Sequence, residues 1–254
     1  TLLNNAPILE SKGRQFPIDY FYVDEVRNST LTSQIVTVVR KALNEQKGDI
    51  LVFLPGIAEI TKCLEYLSNV SDATITPLYG SLTLEKQRQA ILPQQNGQRK
   101  VVLATSIAET SLTIEGVKTV IDCGYSRIPR FDPRSGLTKL DTVRISKDSA
   151  DQRAGRAGRT GPGVCYRVWA RGIQLEAHRI PEIIEADLCS TVLELANWGV
   201  QDIDSLIWLT KPPKGAIAQS TDLLEQLGAL NNHKITKKGK EILSLPTHPR
   251  IAHL

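Results

Sequence analysis

The stretch Gln152-Arg153-Ala154-Gly155-Arg156-Ala157-Gly158-Arg159-Thr160-Gly161 is the most specific feature of this 254-residue sequence. Its arginines recur at every third position, so on a helix they would share one broad face. Only Ala and Gly stand between them, although a glycine inside a helix costs roughly 1 kcal/mol relative to alanine. Residues this small indicate that another stretch of backbone, or a ligand, approaches closely. Because guanidinium groups are planar, permanently charged and bidentate, the cluster suits phosphate oxygens, and a basic helix face with only a general electrostatic role is the weaker interpretation.

The composition indicates a soluble globular protein. Hydrophobic residues make up 41% of the sequence and charged residues 23%, and the length suffices for one large domain or two modest ones. The formal net charge of +4 permits nucleic-acid binding without requiring it. No apolar run approaches the ~18 residues of a membrane span, and no signal peptide is recognisable. We therefore expect no membrane association.

The four cysteines are widely separated and form no Cys-x-x-Cys pair; they are Cys63, Cys123, Cys165 and Cys189. This usage predicts buried, reduced thiols in a cytoplasmic protein. The histidines add no ligand pair at helical spacing, since His248 and His253 are five positions apart, so we predict no metal site. The sequence begins at Thr1 and contains no methionine, which indicates a part of a longer protein.

Strand patterns alternate with helix patterns over the first 170 residues. Predicted strands cover 18–23, 49–54, 74–78, 100–104, 117–122 and 164–169, and predicted helices cover 30–45, 58–68 and 84–91. This alternation predicts an α/β fold with a parallel sheet. Between Tyr125 and Ser146 a turn-rich segment is followed by alternating residues, which predicts a β-hairpin projecting from the sheet.

After Trp169 the pattern becomes mostly helical. Predicted helices cover 187–198, 216–227 and 237–243, with a short hairpin at 230–235 and Thr236 as a helix cap. Two helices, a hairpin and a helix indicate a winged-helix domain. We place the domain boundaries at 1–170, 171–240 and 241–254, the last being the start of a helical domain. Trp198 and Trp208 are expected in the core, and the lysines at 234–240 on a solvated face.

Three loops follow predicted parallel strands, and ligands of α/β sheets bind at the carboxyl ends of such strands. The first contains Pro55 and Gly56, and the second contains Gly80 and Ser81. The third, residues 105–116, is rich in hydroxyl groups, which bind phosphates and sugars without reading bases. Simple turn and capping duty is the alternative for such a loop taken alone.

The order of these stretches resembles that of the DEAH-box helicases. Residues 51–56, 78–82, 104–113 and the arginine stretch resemble motifs IV, IVa, V and VI of that family. The segment Arg130-Phe131-Asp132-Pro133-Arg134-Ser135-Gly136-Leu137 is most similar to the bacterial HrpB type. The resemblance covers essentially the whole chain. It implies a second RecA-like domain, a strand-guiding hairpin and a winged-helix domain.

The resemblance also implies roles for individual residues. The residues expected to approach the γ-phosphate of ATP are Gln152, Arg156 and Arg159, with Arg153 positioned within the domain. Those expected near the ribose or base are Ser111, Thr113, Glu115 and Ile91. Those expected at the nucleic-acid backbone are Pro55, Gly56, Gly80, Ser81, Thr105 and Ser106. Many family members carry Asn in place of Ser106, and an aromatic in place of Ile91, so these two contacts are expected to be weaker here.

The sequence lacks both the Gly-x-x-x-x-Gly-Lys-Ser/Thr phosphate loop and an Asp-Glu-x-His motif. The resemblance therefore implies that ATP and Mg²⁺ are held mainly by an N-terminal RecA-like domain of the same protein, which would be a partner of this chain. The implied activity is that of an ATP-dependent helicase acting on single-stranded nucleic acid, with RNA favoured. A non-catalytic nucleic-acid-binding adaptor and a DNA translocase are the alternatives, and the 2′-hydroxyl that would distinguish RNA from DNA leaves no mark in the sequence.

Overall fold

A computed structural model of the chain describes residues 6–10, 16–24, 29–94, 97–110, 112–132 and 136–254. The chain divides into two compact units. The larger lies between positions 11 and 128 and between 141 and 179, and the smaller comprises positions up to 10, 129–140 and 180–254. The predicted domain boundaries at 170 and 240 stay predictions, since a compact unit and a domain are different divisions.

Within the described residues, the first thirteen elements alternate largely between strand and helix. In order they are β1 (Ile18–Tyr22), α1 (Leu31–Glu45), β2 (Asp49–Phe53), α2 (Ile57–Tyr66), β3 (Ala73–Leu78), α3 (Leu84–Ile91), β4 (Arg99–Ala104), α4 (Ile107–Thr110), β5 (Val117–Asp122), β6 (Tyr125–Asp132), β7 (Leu137–Arg144), α5 (Lys147–Gly155) and β8 (Gly163–Arg167). The predicted strands and helices are present with boundaries shifted by a few residues at most. The short helix α4 was not predicted.

Six strands form one parallel sheet in the order β1-β8-β5-β2-β4-β3. Strand β2 lies inside this sheet, and its residues alternate between two apolar clusters. Ile50 and Val52 pack with residues of α1 and α2, whereas Leu51 and Phe53 pack with residues of α5. Both faces of β2 are therefore covered, as its continuous apolar sequence requires. The prediction of an α/β fold with a parallel sheet is confirmed.

The predicted hairpin is present as β6 and β7, which pair in a separate two-stranded sheet. Their residues are divided between the two compact units. Residues 133–135, part of the segment that resembles the HrpB type, lie outside the described residues.

A buried lysine closes the C-terminus of α3. Lys100 on β4 has no exposed surface, and its ammonium donates a hydrogen bond to the carbonyl of Leu92 at 2.7 Å. Burial lowers the pKa of Lys100. A cation at this position is favourable because the last carbonyls of a helix carry partial negative charge. Lys100 therefore holds the end of α3, where Ile91 lies, against the sheet.

The smaller unit is mostly helical, as predicted. Its further elements are α6 (Glu182–Glu185), α7 (Cys189–Asn197), a 3-10 helix (Ile203–Ser205), α8 (Lys214–Gln226), β9 (Leu230–Asn231), β10 (Lys234–Ile235), α9 (Lys237–Leu243) and α10 (Pro249–Ala252). The hydroxyl of Thr236 accepts the N–H of Gly239 at 3.0 Å and caps α9. Asn232 and His233 both adopt positive φ in the β9–β10 turn, as tight hairpin turns require. The winged-helix assignment of this unit stays a prediction.

The prediction that Trp198 belongs to the core is wrong. Its side chain is 73% exposed. Trp198 is the first residue past the end of α7, where Gly199 turns the chain at φ 87°, so it leaves the buried face of the helix. Trp208 is half-buried, and its indole N–H donates to the carbonyl of Ile203 at 2.9 Å. Among the helices within the described residues, none is long and apolar enough to span a membrane.

Candidate functional site

The arginine stretch is not one helix. Helix α5 ends at Gly155, and Arg156 and Arg159 lie in the turns that follow. The expectation that all three arginines share one helical face is therefore wrong. Two glycines within four residues, each costing roughly 1 kcal/mol in a helix, account for the early end. The three arginines also differ in exposure: Arg153 and Arg156 are buried, whereas Arg159 is exposed.

The close approach inferred from the small residues is present, and it is made by backbone. The N–H of Phe16 donates to the carbonyl of Gly158 at 3.0 Å. A Cβ atom on Gly158 would lie 2.8 Å from the carbonyl oxygen of Phe16, which real side chains do not tolerate. The segment leading into β1 thus crosses the arginine stretch, and Gly158 is small because that segment lies against it.

All three arginines bind the loop at 105–116 that follows β4. The Nε of Arg153 donates to the carboxylate of Glu109 at 3.0 Å. Arg156 donates to two carbonyls of the loop, those of Glu109 at 2.9 Å and Leu112 at 2.8 Å. The Nη1 of Arg159 donates to the hydroxyl of Thr113 at 2.8 Å. Two stretches more than 40 positions apart therefore form a single site.

Arg153 forms a buried ion pair. Its Nη1 lies 2.9 Å from the carboxylate of Asp122 on β5, and neither side chain is more than 1% exposed. Its guanidinium also lies over the ring of Phe53, 4.9 Å from the centroid. Burial by itself lowers the pKa of Arg153, but Asp122, Cys123 and Glu109 together raise it. Arg153 is therefore charged, and it connects α5 with β5 and α4.

Arg156 differs in that its hydrogen bonds go to neutral carbonyl oxygens. Only 7% of the residue is exposed. Burial and the neighbouring charge of Arg159 lower the pKa of Arg156, and Glu109 opposes them. A guanidinium held by carbonyls keeps its full charge, so this position favours the approach of an anion.

The other residues predicted near the nucleotide are placed as follows. Thr113 and Glu115 are exposed, and Gln152 is exposed on α5. Ile91 is half-buried against the same apolar cluster as Ala154 and Ala157. Ser111 lies outside the described residues. The structure thus joins Thr113 to Arg159 by a hydrogen bond, and among the residues it describes it records no hydrogen bond between Glu115 and the arginine stretch.

The three loops predicted to bind nucleic acid follow adjacent strands. Their starts are aligned, since the N–H of Leu54 donates to the carbonyl of Ala104 and that of Thr105 to the carbonyl of Leu78. Gly80, Ser81 and Ser106 are exposed, and Thr105 is half-buried. Pro55 and Gly56, in contrast, are buried.

Arg127 on β6 is the residue that covers Gly56, and sequence reasoning missed it. A Cβ atom on Gly56 would lie 2.7 Å from Nη1 of Arg127. The guanidinium is held there by Glu59 at 3.3 Å, and the side chain of Arg127 remains 35% exposed. Arg127 therefore presents a positive charge at the N-terminus of α2. No local pattern reveals this contact, because the two residues are 71 positions apart.

A group of potential metal ligands lies in the smaller unit. Ligand atoms of Asp187, Cys189 and His248 are within 4.8 Å of one another. However, Nδ1 of His248 accepts the N–H of Arg250 at 3.2 Å and caps α10. Nε2 of the same ring lies 3.3 Å from the carboxylate of Asp187. The arrangement is that of a helix cap beside a carboxylate.

The four cysteines are free and buried, in agreement with the burial expected from the sequence. Burial raises the pKa of Cys63 to about 12, with a smaller contribution from Glu59. A thiol with so high a pKa is protonated at neutral pH and therefore a poor nucleophile.

Removal of the Arg153 guanidinium should strongly destabilise the protein. We expect Arg153→Ala to lower the free energy of unfolding by about 3–5 kcal/mol, because Asp122 would remain as a buried, unpaired charge. Urea unfolding followed by circular dichroism measures this loss. Lys147→Ala is the matched control, since Lys147 pairs with Asp151 on the same helix but is 68% exposed, so the loss should stay within about 1 kcal/mol. Equal losses in the two variants would contradict the structural role of Arg153.

A methyl group at Gly158 should also be costly. We expect Gly158→Ala to lower the free energy of unfolding by about 1–3 kcal/mol, because the added Cβ would meet the Phe16 carbonyl. Gly172→Ala is the control, as a Cβ there has no neighbour within 4 Å, and it should change stability by no more than about 0.5 kcal/mol. Wild-type stability of Gly158→Ala in the same urea titration would show that the crossing segment does not constrain this glycine.

Comparison with known proteins identifies the family of this chain. The family model "Helicase conserved C-terminal domain" matches residues 31–161. The ATP-dependent RNA helicase HrpB of Escherichia coli (strain K12) is 42% identical over 255 residues, which cover 99% of this chain and 32% of that protein.

Two solved structures are similar over nearly the whole chain. A crystal structure of E. coli DExH-box NTPase HrpB has a TM-score of 0.89 and 41% identity, covering 99% of this chain and 32% of that one. A crystal structure of Escherichia coli DEAH/RHA helicase HrpB has a TM-score of 0.93 and 42% identity, covering 99% and 33%. The chain thus spans about a third of the length of these relatives. It belongs to the helicase conserved C-terminal domain family and, within it, to the DEAH-box helicases of the HrpB type.

Proposed function

We propose that this chain is the second RecA-like part of an ATP-dependent RNA helicase. In the full-length protein it would supply arginines to ATP and Mg²⁺ held by a preceding RecA-like domain, and it would grip single-stranded RNA. The observation that carries the proposal is the direct binding of the arginine stretch to the hydroxyl-rich loop at the carboxyl edge of the parallel sheet. RNA is chosen over DNA because a relative covering 99% of this chain is described as an RNA helicase.

The nucleotide would be reached by Arg159 and Arg156, with Gln152 beside them. Arg159 is exposed, and its one described side-chain hydrogen bond uses only Nη1, on Thr113. Its remaining donors are therefore available to a phosphate. Arginine fingers of this kind contribute roughly 10³–10⁵ to the rate of nucleotide hydrolysis by stabilising charge on the transferring phosphoryl group. Thr113 and Glu115 would face the ribose, and Ile91 would pack against the base.

The RNA would lie along the ends of β2, β4 and β3. Gly80, Ser81, Thr105 and Ser106 offer hydroxyls and backbone amides there, which bind the sugar-phosphate backbone without reading sequence. Because Pro55 and Gly56 are buried, the partly exposed side chain of Arg127 would contact the backbone in their place. The winged-helix assignment of the smaller unit and a cytoplasmic location are parts of the same proposal.

Arg159→Ala is the sharper test of the finger, because Arg156 is also a buried anchor of the loop. In the full-length protein we expect RNA-stimulated ATP hydrolysis to fall by about 10³-fold or more. RNA affinity should be unchanged, and the free energy of unfolding should change by no more than about 0.5 kcal/mol, since the side chain is exposed. Steady-state ATPase assays with and without single-stranded RNA measure the effect.

Arg179→Ala is the matched control for Arg159→Ala. Arg179 is also an exposed arginine of the larger unit, but it lies outside the arginine stretch. Its substitution should leave the ATPase rate within about twofold of wild type. A wild-type rate for Arg159→Ala would contradict the finger role and leave Arg159 as an anchor of Thr113.

The chain by itself should be inactive. Without a phosphate-binding loop or an Asp-Glu-x-His motif in its sequence, it lacks the groups that hold triphosphate and metal. We expect no ATP turnover above background and only weak binding of a fluorescent ATP analogue. Robust hydrolysis by the purified chain would contradict the proposal that ATP and Mg²⁺ are held by a preceding RecA-like domain.

A further inference from the structure

Among the described residues of the loop at 105–116, Glu109 alone binds both buried arginines, and it has no part in the function proposed for this site. It is the third residue of α4. Its carboxylate accepts from Arg153 Nε at 3.0 Å and from the hydroxyl of Ser149 at 2.5 Å. Its backbone carbonyl accepts from Arg156, through Nε at 2.9 Å and also through Nη2. The side chain and the main chain of this residue therefore hold different arginines.

The carboxylate fixes where α4 lies. The side chain of Glu109 is 16% exposed and that of its partner Arg153 is 1% exposed, so separating them would leave a charge in a poorly solvated place. Arg153 is itself held to the sheet by Asp122 and by the carbonyl of Tyr125. The backbone of Glu109 is thus tied through its own side chain to β5.

The first turn of α4 is made by the residues expected to grip the RNA backbone. The N–H of Ala108 donates to the carbonyl of Thr105 at 3.3 Å, and the N–H of Glu109 donates to that of Ser106 at 2.9 Å. A shift of Thr105 and Ser106 would therefore be passed to Glu109 within one helical turn.

The same shift would reach Arg156 through its hydrogen bonds to the loop. Nε, Nη1 and Nη2 of this side chain all donate to the carbonyls of Glu109 and Leu112. These bonds use three of the five N–H donors of the guanidinium, and only 7% of the residue is exposed, so the loop carbonyls fix the position of the two remaining donors. A movement of the Glu109 carbonyl would therefore change how far these two donors reach toward the nucleotide.

We propose that Glu109 is the positioning residue that couples RNA binding to the arginine finger. Without RNA its carboxylate, held by Arg153 and Ser149, keeps its carbonyl in place to restrain Arg156. RNA bound at Thr105 and Ser106 moves α4 against this tether and releases Arg156 toward the nucleotide. This inference rests on the proposed function.

The test is Glu109→Gln in the full-length protein, which keeps the shape of the side chain but removes its charge. Two quantities are measured: the ratio of kcat with and without single-stranded RNA, and the ratio of RNA Kd with and without a non-hydrolysable ATP analogue. We expect both ratios to move toward one, by a factor within the range of about 5–150 that is typical of coupling between sites. A merely structural loss would alter stability or overall activity and leave the two ratios intact.

Two further variants keep the test decisive. Ser149→Ala removes one hydrogen bond to the same carboxylate without leaving a buried charge, and it should move both ratios in the same direction by a smaller factor. It replaces Glu109→Gln if that variant fails to fold. Glu65→Gln, at an exposed position on α2, is the control and should leave both ratios at their wild-type values.

The outcomes separate this inference from the proposed function. Wild-type ratios in folded Glu109→Gln or Ser149→Ala, together with a low rate in Arg159→Ala, would overturn the role of Glu109 and leave the helicase proposal standing. No stimulation of the wild-type protein by RNA would overturn the proposed function and the inference with it. Ratios closer to one in both variants, with normal stability, would support the inference.

Discussion

The buried charge of Arg153 is the constraint on which the rest of the site depends. A guanidinium with 1% of its surface exposed is stable only if carboxylates surround it, and Asp122 and Glu109 meet that need from two different elements. Satisfying one charge therefore fixes α5 against β5 and fixes α4 against both. The ion pair between Arg153 and Glu109 therefore holds the loop that follows β4 in position. Helix α4 within this loop is only four residues long, so it contributes few hydrogen bonds of its own.

The three arginines of one repeating pattern have three different physical roles. Arg153 is neutralised by carboxylates, Arg156 is held by neutral carbonyls, and Arg159 extends into solvent from a single described side-chain contact with Thr113. The difference arises because α5 ends at Gly155, after which each arginine points in its own direction. A continuous helix would have given the three guanidiniums one environment. Because the helix ends early, Arg153 and Arg156 stabilise the site, while the exposed charge of Arg159 remains available to an anion.

Two glycines leave space for a neighbouring group that a side chain would block. Gly158 admits the backbone of Phe16, and Gly56 admits the guanidinium of Arg127. Gly56 has an extended φ of −164°, which any residue could adopt, so space rather than conformation explains it. A ligand-binding loop and a loop that accommodates a neighbouring side chain can therefore look alike in sequence. For Gly56, the charge of Arg127 is what a nucleic acid would meet.

Local sequence patterns specified most of the secondary structure, and the order of the motifs specified the family. Helix α3 at Leu84–Ile91 and strand β5 at Val117–Asp122 follow from periodicity and flanking residues, the Thr30 cap from local hydrogen bonding, and the helicase family from the order of its motifs. Three features depend instead on the tertiary structure: Trp198 is exposed, Arg127 covers Gly56, and Glu109 binds two arginines. Periodicity and capping act within a few residues of the chain. The covering of Gly56 and the binding by Glu109 instead join residues more than 40 positions apart, and the exposure of Trp198 depends on what the rest of its unit leaves uncovered, so no local pattern encodes them.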